Sequence, residues 1–436
     1  MKRAAFTLIV GVVFAGAALP DDLPPGVVLL ASVKRHMREE LDRLPNVSCL
    51  ETLRREYQPA KGKMKPLDTV RLEVHTDGGK EFFASPGGRE FSTGNPVDYV
   101  GSGVIGNGFF GIHLKNILEN RNVSFAYKGE EEIAGRRLAR FDYMVSKAWG
   151  GQFFTLPEGS GTAGMHGSLW VDPATHDVVQ LETSADDFPP TLPLEEAVTR
   201  IVYARTALEG GAAALLPVSG EFRMVKLSGE TSHNEIEFSG CRLFRAKSEI
   251  SFDAPDSGGA APLSAVAPSI PETERTLPGG LRVEVQLRSR ISGNLAVGAS
   301  IEGVVAAEVR QNGQVAIAAG SPVHGRIRRL ECHAEPEPYF AVGLEYTEVE
   351  SRGIRHRFLA DLLELGSAPG VEAVLSSASS KSEPLAGGRG GSIEKRKWDT
   401  TWLPDLPGAA VFFVRGNELD PRPGFRTVWM TRTAAP

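Results

Sequence analysis

Residues 281–288 read Leu-Arg-Val-Glu-Val-Gln-Leu-Arg, apolar side chains in strict alternation with charged or polar ones. A β-strand turns successive side chains to opposite faces, so a segment of this kind buries one face and wets the other. The same period of two occurs at Val70, Leu72 and Val74, separated by Arg71 and Glu73, and strand-like stretches follow at 199–208, 220–227 and 234–243. Further short ones lie near 301–309, 322–328, 341–349 and 410–414, with Gly-rich turns between them. The chain is therefore expected to be mainly β with some α, its strands antiparallel.

Two segments carry a helical period instead. Leu30, Val33, Met37, Leu41 and Leu44 recur at helical spacing among charged residues and stop at Pro45, as in an amphipathic helix. The run Phe109 to Asn120 places Phe110, Leu114, Ile117 and Leu118 on one face of a second helix. The clearest hairpin is GSLWVDPATHDVVQLE, in which Asp172 and Pro173 take the first two positions of a type I turn between 169–171 and 178–181.

The N-terminus has Lys2 and Arg3, an apolar stretch from Ala4 to Phe14, then small residues ahead of Pro20, which reads as a secretory signal over 1–18. That stretch is shorter than the ~20 residues of a spanning helix, and no transmembrane helix is expected after signal removal. Residues 254–276 are dense in Pro, Ala, Ser and Gly and read as a linker between a domain at 21–253 and a second at 277–436, whose 376–397 stretch reads as a mobile loop. The expected location is exported, in the periplasm or outer cell envelope.

Charge and cysteine content narrow the chemistry. With 48 Lys+Arg against 54 Asp+Glu the net charge is −6, which lacks the basic excess of a nucleic-acid partner. In an oxidising compartment one disulfide would persist among Cys49, Cys241 and Cys332. Three pairings are open; Cys49 with Cys241 is favoured because both fall in the first domain, and free buried thiols are the alternative. A Gly-x-Gly-x-x-Gly at Gly101, Gly103 and Gly106 lacks the parallel strand–helix setting that phosphate binding needs, and is read as a turn before Phe109. No serine lies in Gly-x-Ser-x-Gly and no His-Glu-x-x-His appears. His324, Cys332, His333 and Glu335 form the densest donor cluster, but neighbours on one strand point apart. No cofactor, metal or catalytic residue is expected, and the protein is read as not an enzyme.

The hairpin, with the strand near 141–145 before it and Ile-Val-Tyr-Ala-Arg and Leu-Leu-Pro-Val-Ser-Gly-Glu-Phe-Arg-Met-Val after it, resembles the LolA-like outer-membrane lipoprotein-sorting family over roughly 25–252. That resemblance implies an antiparallel half-barrel sheet closed by helices around an apolar cavity for acyl chains. The long closing domain departs from simple carriers. Residues 277–331, with Leu-Pro-Gly-Gly-Leu-Arg-Val-Glu-Val-Gln-Leu and Ala-Gly-Ser-Pro, resemble the β-barrel of TrbI-like type IV secretion components, implying a small C-terminal barrel or sandwich. The expected function is then non-enzymatic binding of an apolar ligand, lipid or acylated protein, in a cavity lined by Phe109, Phe110, Phe153, Phe154 and Trp170. In the alternative the same aromatics close into a dry core, and the protein is an envelope scaffold or sensor with a protein partner.

Overall fold

The computed structural model describes residues 23–88, 91, 96–100, 102–208, 213–243, 275–334, 337–368, 370–372, 408–419 and 421–433. The signal at 1–18, the linker up to residue 274 and the loop at 376–397 lie outside the described residues.

Helix α1, Pro25–Asp42, starts with proline in its first turn, where the missing N–H costs nothing. It buries Val33 and Met37 and ends before Pro45. Then come β1 (Val47–Gln58), β2 (Lys65–Asp77), β3 (Lys80–Ala84), α2 (Ile112–Leu118), β4 (Ser124–Ile133), β5 (Arg136–Val145), β6 (Gln152–Leu156), β7 (Gly159–Val171), β8 (Val178–Asp186), β9 (Leu194–Ala207), β10 (Ala213–Lys226) and β11 (Thr231–Leu243). They form one antiparallel sheet in the order β3-β2-β1-β11-β10-β9-β8-β7-β5-β4, with β6 pairing β7 off this path. The early strands thus close against the last, and the Cys49–Cys241 disulfide joins β1 to β11 there.

Register fixes which side chains share the inner face. Leu53 faces Val70 and Ile236, Gly220 faces Ile201, Ile201 faces Leu181, and Leu169 faces both Leu181 and Phe141. All but Gly220 are buried apolar residues of one core, to which α1 and α2 contribute Val33, Met37, Leu114 and Ile117. The hairpin turn forms as its sequence implies: Asp172 Oδ1 accepts the Ala174 N–H at 2.9 Å, and His176 takes positive φ to re-enter β8. The second helix is shorter than the expected 109–120. The Glu81 carboxylate accepts the N–H groups of Gly108 and Phe110, at 2.6 and 2.9 Å, and holds 108–111 as a turn ahead of the helix.

Residues 275–433 supply a second sheet, ten strands among the described residues. The expected strands are present at Arg282–Leu287, Ser300–Val305, Pro322–His333, Tyr339–Ser351 and Ala410–Arg415. Arg426–Thr431 and Ala360–Leu365 join them without having been anticipated. Trp429, fully buried on Arg426–Thr431, meets Tyr346 edge-on at 5.2 Å.

The two sheets do not bury separate cores: one continuous apolar cluster contains side chains of both. At the seam Val297 N–H donates to Thr69 O at 2.7 Å and Val297 O accepts from Arg71 N–H at 2.9 Å. A Cβ at Gly298 would lie 2.5 Å from Arg71 O, so the approach requires glycine.

Candidate functional site

A cleft of about 1130 Å³ opens on the inner face of the first sheet. Its floor is Met165, Thr199, Phe222 and Met224, which share the inner face by register. One wall is β6, where Phe154 and Leu156 pack with Phe222 and Met224. The other is the 97–113 segment, whose described residues line the cleft at Val97, Asp98, Val100, 102–107, Phe109, Ile112 and His113.

Polar side chains pin that segment. Arg55 grips Asp68 with two nitrogens, at 2.7 and 2.6 Å, and donates a third to Ser102 O. Asn234 donates to Val104 O at 2.8 Å, and Tyr203 Oη to Phe109 O at 3.1 Å. From the second sheet, Glu331 Oε2 accepts from the Ser102 hydroxyl at 2.9 Å and from Arg329 at 2.8 Å, with His333 Nε2 also at 2.8 Å. Burial pushes the Glu331 carboxyl up, but His333 and Arg329 outweigh it and hold the group down at about 2. Burial beneath the turn pushes the Glu81 carboxyl up, opposed by the two N–H groups it accepts. Burial likewise lowers His113, whose Nε2 lies 3.0 Å from Asn107 O. The 97–113 wall of the cleft is therefore tied by side chains of both sheets.

The structure brings three of the five anticipated aromatics to this cleft. Phe109, 2% exposed, lines it and packs on Phe238 at 5.7 Å. Phe154 lines it from β6; Phe153, 66% exposed, stands at its mouth. Phe110 is not on the cleft: it meets Phe238 edge-on at 5.2 Å inside the core. Trp170 lies on the other face of β7, out of phase with Leu169 and Val171. Its Nε1 donates to Glu131 at 2.9 Å and Arg140 sits 5.4 Å from the ring centre. Sequence reasoning did not single out Met165, Phe222, Met224 or the pins Arg55, Glu81 and Asn234. Their signal is position: Arg55, like Glu51, falls on the inward register of β1 beside Leu53, and Asn234 on that of β11 beside Ile236 and Phe238, where a polar side chain must be buried. Among the described residues no group of three or more His, Cys, Asp or Glu could hold a metal ion, and no helix is long and apolar enough to cross a membrane.

No family model and no curated protein matches the chain. Similar solved structures include a DUF1329 family protein from Desulfovibrio piger, 11% identical, with 52% of this chain and 97% of that chain covered and a TM-score of 0.27. A putative outer membrane lipoprotein-sorting protein domain from Vibrio parahaemolyticus is 11% identical over 50% of this chain and 95% of that chain, with a TM-score of 0.28. A LolA superfamily protein from Nitrosomonas europaea is 11% identical over 51% of this chain and 97% of that chain, with a TM-score of 0.26. These solved structures cover about half of this chain. At such TM-scores they fix neither a ligand nor a role.

Proposed function

We propose that the protein binds an apolar ligand, a lipid or the acyl chain of an acylated molecule, in the cleft between β6 and the 97–113 segment, as an exported protein of the cell envelope. The single observation that carries this reading is the cleft itself: about 1130 Å³, with Phe109, Phe154, Phe222, Met165 and Met224 at its surface. Small-molecule sites are concave, mostly apolar and preformed, at roughly 300–1,000 Å³, and methionine adapts to irregular apolar ligands. The disulfide between β1 and β11 accords with an oxidising compartment. The Vibrio protein is described as a putative outer membrane lipoprotein-sorting domain; the proposal rests on the cleft instead.

The test is a chain-length series of dansylated fatty acids titrated into the full-length protein. Each buried CH₂ contributes about 0.8 kcal/mol, so each added methylene should tighten binding about fourfold until the cleft is filled. Affinity that does not rise with chain length, or no saturation at all, overturns the reading.

A further inference from the structure

The cleft is apolar on its floor, but one of its lining residues belongs to the second sheet and carries a charge: Arg328, on the strand Pro322–His333. Among the described residues that line the cleft it is the one Lys or Arg, and burial disfavours the charged form of the one histidine, His113. We infer that the ligand is an anionic amphiphile, a single acyl chain ending in a carboxylate or phosphate, and that Arg328 reads its head. This rests on the apolar-ligand reading above and deepens it.

Three observations set Arg328 apart from an ordinary strand arginine. First, it sits in a β-bulge. Ile327 pairs with Leu344 and Arg329 with the adjacent Gly343, so Arg328 is the extra residue, without a cross-strand partner. A bulge of this kind re-aims a side chain. Here it separates two consecutive arginines: Arg329 goes to the buried Glu331, and Arg328 to the cleft.

Second, the guanidinium is held from behind. It lies 5.6 Å from the centre of the Tyr99 ring, and Nη1 donates to Glu345 Oε2 at 3.0 Å. The side chain is 22% exposed, half-sheltered in a way that screens a bound anion less than open solvent would.

Third, the fork is not saturated. A guanidinium has five N–H donors in a planar array that suits the two oxygens of a carboxylate or phosphate. Glu345 takes one, and Nε, enclosed within the protein, has no hydrogen-bond partner among the described residues, so the donors left to face a ligand are those remaining on the two Nη atoms. Asp98, exposed on the short helical turn Pro96–Tyr99, also lines the cleft, so an anionic head is favoured at Arg328 and disfavoured at Asp98. Arg328 comes from the second sheet, which puts the head at the seam between the sheets and leaves the apolar residues Phe222 and Met224 for the tail. A complete site then requires both sheets.

The experiment uses the full-length protein and two probes that differ only in the head, 11-(dansylamino)undecanoic acid and its methyl ester. The wild-type protein should bind the acid about tenfold or more tightly than the ester, the scale of a charge-assisted pair. Arg328→Gln should remove that preference by weakening the acid while leaving the ester within about twofold, and Arg328→Lys should restore part of it, having the charge but not the fork. Asp98→Asn should leave the acid as tight or tighter. Displacement of the acid by dodecanoate or by dodecyl phosphate, with dodecanol as control, separates a fatty-acid source from a phospholipid-like one.

Equal affinity of wild type for acid and ester overturns the inference even if Arg328→Gln fails to fold. So does weakening of both probes alike in a folded Arg328→Gln, or loss of binding in Asp98→Asn with none in Arg328→Gln, which marks a cationic head. Saturation by both probes with no preference leaves the apolar-ligand reading standing and removes only this one; saturation by neither removes both.

Discussion

Ser102 and Glu331 meet across the two sheets, the Ser102 hydroxyl donating to Glu331 Oε2 at 2.9 Å. The same carboxylate oxygen accepts from Arg329, so one buried anion ties the wall of the cleft to the neighbouring sheet. Removing one partner of a buried charged group leaves the other uncompensated, at a cost of about 3–5 kcal/mol. Glu331→Gln should therefore lower the stability of the whole protein by about that much at pH 7, read as the urea midpoint. A loss below about 1 kcal/mol would mean that the cluster is wet or rearranges.

The acid limb follows from the same group. Its carboxyl titrates at about 2 in the folded protein against an ordinary value of 4.5, so the folded state holds its proton less tightly than the unfolded chain. The stabilisation is present above pH 4.5 and is lost as pH falls through 4.5 toward 2. Wild type should lose roughly 3 kcal/mol more than Glu331→Gln across that window. Parallel acid curves for the two proteins would refute the assignment.

Glu51 behaves oppositely. It is buried on β1 between Leu72 and Phe238, and its Oε1 has no hydrogen-bond partner among the described residues. Burial, then the neighbouring Glu81, pushes its carboxyl well above the usual range. The folded state keeps the proton that the unfolded chain gives up near 4.5, so stability is full below that pH and falls as pH rises toward the folded value. Glu51→Met should be about 1–3 kcal/mol more stable than wild type at pH 8, with a smaller gap at pH 5. A gap that narrows at pH 8 would show that Glu51 is paired when charged.

Much of this was legible in the residues. Alternation placed most strands, and the Asp172-Pro173 turn formed between the two strands assigned to it. Parity also held information that the aromatic pairing overlooked. Phe153 and Phe154 are consecutive on a strand and cannot both face inward, and Trp170 lies between Leu169 and Val171, whose burial turns it outward. Phe109 and Phe110 escape that rule because they sit in a turn, which Glu81 sets from 27 and 29 residues away in sequence. Arg328 could not be found this way at all: a bulge and a partner loop more than 200 residues away in sequence bring it to the cleft.

Those placements separate the aromatics by experiment. Phe222→Ala should weaken the dansyl-undecanoate probe about fivefold or more, since Phe222 forms the cleft floor. Trp170→Phe should leave the probe within about twofold, because it removes only an outer-face hydrogen bond to Glu131, worth about 0.5–1.5 kcal/mol of stability. The reverse order would place the ligand on the outer face.

The disulfide and the seam make distinct claims about what holds the chain together, and one modified protein tests both. Cys49 and Cys241 are 192 residues apart, so in the chain-entropy account their bond stabilises the folded state by about 5 kcal/mol, an upper figure. Reduction should lower the urea midpoint accordingly, and Cys49→Ser should match the reduced protein. The seam is backbone pairing of 69–71 with Val297, the Ser102–Glu331 bond and one continuous core, none of which passes through residues 254–274. A protease site introduced at position 262 and cut should then leave two pieces that travel together on size exclusion at the uncut mass, with probe binding kept. They should part only in denaturant, and at a lower concentration once the disulfide is reduced. Pieces that separate in native buffer would mean that each sheet completes its own core, with the seam an adjacency rather than a bond. The cleft, which takes Arg328 from one piece and its floor from the other, would then lose its preference for an anionic head.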